Sequence, residues 1–299
     1  MRRCLMLALL PLLLVSPPAA SAADRLTVYT VNAPLAYFAE RIGGDAVAVV
    51  FPVPPGRDPA FWRPPIAVIG AYQAADLVLL NGAGYAAWTE KTSLPRARLV
   101  DTSRAFADRL IVTEDAVTHS HGPEGEHSHA ATASITWLDF SQAAQQAQAI
   151  ADALERRLPE QAAALEAGMA ALEADLLALD RRALEIGKRA AGMPLLASHP
   201  RYQYLARRYG LNIESVEWEA GATPGPEQLA ELDALREAHP ARWMLWEAPP
   251  TDGALELLEA RGVASIVFAT AAGVGPDGDF LAVMHRNLDA LARVASSRD

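Results

Sequence analysis

IAVIGAYQAADLVLLNGAG, residues 66–84, is the stretch on which the fold turns. Its first half reads as a helix. The LVLL that follows is wholly apolar and ends at Asn81-Gly82, with none of the polar alternation of a strand that has one face in water. Such a strand is buried on both faces, as in a parallel sheet covered by helices. Upstream, RLTVYTV (25–31) is β-rich. APLAYFAERIGG (33–44) has helical spacing and a glycine stop, and DAVAVVFPVPPG (45–56) is a second strand closing in a turn. Strand, helix, strand, helix, strand predicts an α/β lobe with a mainly parallel sheet.

The same alternation returns after residue 190. MPLLASHP, LNIESVEW, RWMLWEAP and ASIVFATA read as strands. RYQYLARRYG, PEQLAELDALREAH and TDGALELLEARG read as the helices between them, and FLAVMHRNLDALARVA closes the chain as a last helix. Between the halves lies a segment rich in Ala, Leu, Glu, Gln and Arg. Pro159 starts a new helix there, expected to run unbroken from Glu160 to Ala190 over roughly 45 Å. The expected organisation is an N-terminal lobe at 24–157, a linker helix at 158–191 and a C-terminal lobe at 192–299. A ligand cleft is expected between the lobes, where strand ends from both sheets converge.

The chain opens MRRCLMLALLPLLLVSPPAASAAD. Two arginines, a short apolar run, Pro17-Pro18 and small residues read as a cleavable signal peptide over 1–23, not as a membrane anchor. Cys4, the chain's single cysteine, falls inside it, so the exported protein has no disulfide and must fold on its core, for which about 275 residues suffice. The formal net charge is −10 before the two leader arginines are lost. An acidic surface argues against nucleic acid and anionic lipid as partners.

THSHGPEGEHSHA, residues 118–130, holds four of the seven histidines as two H-x-H pairs, His119 with His121 and His127 with His129. Neither helix nor strand is expected there. Four neutral imidazoles suit zinc, copper or nickel, with Glu124 and Glu126 as further donors; the alternative is a solvated polar loop. Ordering the loop costs entropy, so its affinity should be moderate.

The ordered segments IGGDAVAV, PVPPGRDPAFWRP, ADLVLLNGAGYAAW, ITWLDF, SHPRYQYLARRYGLN, EAGATPGPEQLAEL and WMLWEAPP resemble the periplasmic solute-binding proteins of zinc and manganese ABC importers, over essentially the whole exported chain. That resemblance implies two lobes on a rigid linker helix, a soluble monomer in the periplasm, and partnership with an inner-membrane permease and its ATPase. It also implies one metal ligand from each of four strand-end loops. Here those positions hold Ala60, Thr136, His199 and Thr270, so the usual cage is missing or remodelled. Zinc takes about four N, O or S donors; alanine offers none and a neutral threonine hydroxyl is a poor one.

Other candidates remain open. His199 is a cleft ligand, or a capping or packed histidine. Glu247 ligates a metal, bonds a ligand, or caps the helix starting near Thr251; Glu217 and Glu219 carry the same ambiguity. Phe61, Trp62, Tyr202, Tyr204, Trp218 and Trp246 line a cleft for a partly apolar guest or pack in the core, and Trp137 reads as core. His239 and His285 look like surface residues. There is no G-x-S-x-G, no H-E-x-x-H, no phosphate-binding glycine loop and no cysteine nucleophile, so no enzyme is expected. The leading expectation is a metal-capturing protein of an ABC importer, with zinc as the ion. The alternatives are a cleft for a metal chelate or organic molecule, or a metal chaperone or buffer.

Overall fold

The computed structural model describes residues 25–113, 118–120, 126–128, 132–219, 221–275 and 278–297. The leader lies outside these residues, and so do His121 and His129; for His119 and His127 only the backbone is described.

The N-terminal sheet has four parallel strands in the order β2-β1-β3-β4: β1 (Leu26–Thr30), β2 (Val47–Val50), β3 (Leu77–Leu80) and β4 (Leu99–Asp101). Helix α1 (Ala33–Gly43) connects the first two, and α2 (Ile66–Ala74) precedes the third. Asn32 caps α1 by accepting a hydrogen bond from the Leu35 N–H at 3.0 Å. Strand β4 was not expected; it is three residues long, too short for periodicity to reveal. The short pair β5 (Thr118–Ser120) and β6 (Glu126–Ser128) is antiparallel, with His119 opposite His127. This departs from the expectation of no strand there, and the Gly122, Pro123 and Gly125 between the pair are residues that favour chain reversal.

Helix α3 (Phe140–Arg157) ends before Pro159, and after a short turn α4 runs from Ala162 to Ala190. The start falls two residues beyond the expected Glu160 because Pro159–Gln161 wind into a tighter 3₁₀ turn. Two glycines let α4 lie close to both lobes. A Cβ at Gly168 would stand 2.7 Å from the Ile42 carbonyl oxygen, and one at Gly187 would stand 2.0 Å from that of Tyr209.

The second sheet repeats the order of the first. Its strands β7 (Pro194–Ala197), β8 (Asn212–Ser215), β9 (Trp243–Trp246) and β10 (Ala264–Val267) are parallel and lie as β10-β9-β7-β8. Around them run α5 (Gln203–Tyr209), α6 (Pro226–Ala238), α7 (Asp252–Glu259) and the closing α8 (Phe280–Ser296). Helix α8 lies beside β10 of its own sheet but also reaches beyond it. It packs on α4 and α1, with the Phe280 ring edge-on to Phe38 at 5.2 Å.

The main core is continuous through the linker, joining Val28, Phe38 and Leu79 to Leu176, Leu195 and Leu245. Bonds between the lobes add to it. The Trp137 indole N–H donates to the Thr270 carbonyl at 2.7 Å, the Ala33 N–H to that of Ala272 at 2.9 Å, and the Tyr204 hydroxyl to that of Ala133 at 3.0 Å. Trp137 and Tyr204 are therefore core residues, each fully buried. On the linker, Asp180 takes both arms of Arg208 (3.0 and 2.7 Å) and the Tyr209 hydroxyl (3.0 Å), which in turn accepts from the Phe140 N–H. Buried carboxylates persist where pairing is this complete.

Candidate functional site in the cleft between the lobes

In both sheets the chain reverses its winding between the first and third strands, and the carboxyl ends at that switch point face the space between the lobes, the usual ligand position in such folds. A cleft of about 1100 Å³ opens there, lined by Phe51, Asp58, Phe61, His199, Arg201, Trp218, Glu247 and Thr270 among others.

Its centre is an arginine. Arg201 follows β7, and its side chain is only 11 % exposed. One guanidinium nitrogen donates to Asp58 Oδ2 at 2.6 Å, while Nε faces Glu247 Oε1 at 3.4 Å, an ion pair too long and bent for a hydrogen bond. Asp58 comes from the other lobe, in the turn after β2, where its second oxygen accepts from the Ala60 N–H. Phe61 lies against the guanidinium at 5.4 Å from its carbon to the ring centre. Burial opposes the guanidinium's charge, but the Asp58 and Glu247 carboxylates more than offset it, so its pKa stands above the ordinary value. Burial pushes the Glu247 carboxyl up against the pull of Arg201, and nearby Asp58 adds to the rise.

The acidic lining outnumbers the basic. Glu40, Asp58, Glu219, Glu247 and Asp279 face the cleft, against Arg57 and Arg201. Aromatic walls complete it with Phe51, Phe61, Trp218 and Phe280. Trp218 is 3 % exposed, and its indole N–H has no hydrogen-bond acceptor among the described residues. Three non-glycine residues have φ near +55°: Ala83 and Ala86, buried after β3, and Ala271, beside Thr270 on the cleft wall. Between those two alanines Tyr85 is buried edge-on to Trp137. Burial, with Asp58 and Glu247 adding and Arg201 opposing, raises its hydroxyl pKa well above 10.

The expected residues divide. His199, Glu247 and Thr270 reach the cleft. Glu247 does not cap α7, because Thr251 does so by accepting from the Ala254 N–H at 3.2 Å. His199 is no cap either, since α5 has no side-chain cap. Thr136 is wholly buried behind the cleft, within 3.3 Å of Asn81 Oδ1 and of Gln146 Oε1. Tyr202 is buried and donates to the Phe268 carbonyl. Phe61 lines the cleft; Trp62, its neighbour, does not. Trp246 packs against Trp218 and donates to Ser265. His239, expected at the surface, is 8 % exposed with Nε2 at 2.8 Å from the Leu195 carbonyl: as the residue after α6 it turns back under β7. His285 is exposed, as expected. Sequence reasoning missed Arg201 and Asp58. Both sat in quoted motifs, RDPA and SHPR, but nothing local pairs an arginine with an acid 143 positions away. Among the described residues no three His, Cys, Asp or Glu side chains converge on a point that could hold a metal ion.

Two parallel-sheet lobes on one long helix, with the cleft at their strand ends, define a solute-binding protein. The chain belongs to the ZnuA family, zinc-uptake complex component A, periplasmic, whose model matches residues 28–294; it thus stands among the solute-binding proteins of metal ABC importers. It is 24 % identical over 258 residues, 85 % of this chain and 81 % of the other, to a Treponema pallidum (strain Nichols) protein named for metal binding. The fold is that of the metal-dependent lipoprotein YcdH of Bacillus subtilis (TM-score 0.77, 21 % identity, 90 % of this chain and 98 % of that one). It is also that of the Zn(II)-bound ZnuA-like domain of Streptococcus pneumoniae AdcA (0.76, 20 %, 91 % and 100 %) and of the Pseudomonas aeruginosa binding protein FpvC in complex with Mn²⁺ (0.73, 24 %, 92 % and 100 %). Among the described residues no helix is long and apolar enough to cross a membrane.

Proposed function

We propose that this chain is the periplasmic capture protein of a metal ABC importer, and that its cleft takes the metal already complexed by a small organic ligand. The observation that carries this reading is Trp218, which lines the cleft and whose buried indole N–H lacks an acceptor among the described residues. An indole N–H only donates. A bare cation cannot satisfy it, whereas a carboxylate or carbonyl oxygen of a chelating ligand can. A cleft of about 1100 Å³ with aromatic walls suits a guest of that size. The excess of acidic over basic lining favours a complex of zero or positive net charge. An inner-membrane permease and its ATPase would receive the cargo.

The histidine segment would serve as a second, separate collector of zinc. Its support is the pairing register, which sets His119 opposite His127 across β5 and β6.

The test is fluorescence and calorimetry on the exported chain and on a variant with His119, His121, His127 and His129 all replaced by Ser. Zinc alone should bind the parent and lose most of its heat in the variant. A zinc or nickel complex with a small amino-acid or carboxylate chelator should still quench Trp218 in the variant. Tight one-to-one binding of bare zinc that survives loss of the four histidines would sink the reading.

A further inference from the structure

We infer that Arg201 is the specificity residue that bars a bare divalent cation from this cleft: its guanidinium, tethered to the chain, holds the place between Asp58 and Glu247 that a free metal ion would otherwise take. The inference rests on the cleft being that of a metal-importer binding protein, and goes further by naming the residue that selects the form of the cargo.

Three features of the geometry support it. The two carboxylates come from opposite sides of the cleft, Asp58 from the turn after β2 and Glu247 from the end of β9, and they face the same guanidinium at 2.6 and 3.4 Å. Opposed carboxylates need an intervening positive charge to remain ionised at close range, and Arg201 supplies one. Second, His199 lies two residues before Arg201 on the same strand-end segment and lines the same cleft. Third, Phe61 packs on the guanidinium, and the Arg201 side chain is almost wholly buried. An incoming ion would have to displace a charge held at high local concentration and leave it buried without its partners. Breaking a buried pair in that way is strongly unfavourable. A complexed metal has its own donors and can bind beside the ion pair without disturbing it.

The experiment uses the exported chain with the four loop histidines replaced by Ser, so that only the cleft is read. Zinc and manganese are titrated by calorimetry into that background, into Arg201→Gln and Arg201→Lys, and into Arg201→Gln combined with Glu247→Gln. The expected result is a one-to-one site in Arg201→Gln at least tenfold tighter than anything in the background. It should be lost again when Glu247→Gln is added, and absent in Arg201→Lys, which keeps the charge. A folded Arg201→Gln chain that titrates like the background overturns the inference, as does an Arg201→Lys chain that gains the site equally. If Arg201→Gln is unfolded without metal, recovery of its native circular dichroism on adding zinc supports the inference, and no recovery overturns it. The reading of a complexed cargo is judged separately: chelate binding by the background without ion gain in Arg201→Gln overturns this inference alone.

Discussion

The two lobes have the same strand order, and at the same switch point of each sheet the sequence places polar side chains, yet the two ends differ in kind. Behind the end of β3 in the N-terminal sheet the polar residues are neutral and closed. Asn81, the residue after β3, accepts from Asn32 (3.2 Å), Gln146 (3.1 Å) and Thr136 (3.3 Å) on one oxygen, and its amide donates to Ser134. Gln146 reaches on to Thr102 at 2.9 Å. Asn32, Asn81, Thr102, Thr136 and Gln146 are all fully or almost fully buried. At the C-terminal strand ends the residues are charged and lie on the cleft wall, where Arg201 and Glu247 reach across to Asp58. A saturated amide network has no lone pair to offer a guest, whereas a charged cluster open to the cleft can still be rearranged by one. The first is framework, and the second is where the proposed selectivity would act.

This contrast can be broken experimentally, beginning with the largest effect. Asn81→Ala removes the acceptor for three buried donors, so urea unfolding should show a loss of about 3–4 kcal/mol. Its cleft binding should stay within twofold of the parent when measured well below the denaturation midpoint; a large loss of binding would show that the framework is part of the site. Trp137→Phe, which deletes the indole bond to the Thr270 carbonyl, should cost about 2 kcal/mol in the same assay. Because Thr270 lines the cleft, this change should also weaken ligand binding, linking the two regions. Thr136→Val keeps the shape and removes the hydroxyl. With Asn81 retaining two other donors, the cost should be about 1 kcal/mol and zinc titration should be unchanged, whereas a lost zinc signal would make Thr136 a ligand after all.

The smallest effect is one of pH. The Glu247 carboxyl stands above its ordinary value of 4.5 in the folded chain, raised by burial against Arg201's opposing pull. The folded state therefore binds more protons than the unfolded one between the ordinary and the raised value. The contribution of this group to stability then falls as pH climbs through that window. Glu247→Gln should flatten the fall in unfolding free energy from the ordinary carboxylate range upward. A steeper fall in the variant would reverse the assignment.

Much of this was legible locally. The apolar run of LVLL and its counterparts in the second half predicted parallel strands because burial on both faces removes polar alternation. Pro159 and the proline-free stretch after it predicted the long helix. Glu247 was placed at a strand end by its position after an apolar run, His199 and Thr270 by the resemblance, and all three line the cleft. Thr136 and Tyr202 were expected at the cleft and are buried behind it, because a single threonine or tyrosine carries no local sign of which neighbours will surround it. His239 misled in the same way: helical context suggested solvent, but the packing of α6 under β7 buries it.

The sequence by itself determined the class of fold and the order of its elements, since these follow from backbone periodicity. Only the tertiary structure decided which side chains meet across the cleft and behind it. Arg201 meets an acid 143 residues earlier and another at the end of β9, and Thr136 is taken up by Asn81 and Gln146. Periodicity is set by neighbours along the chain, but charge pairing and hydrogen-bond saturation depend on distances in space that only the packed lobes create.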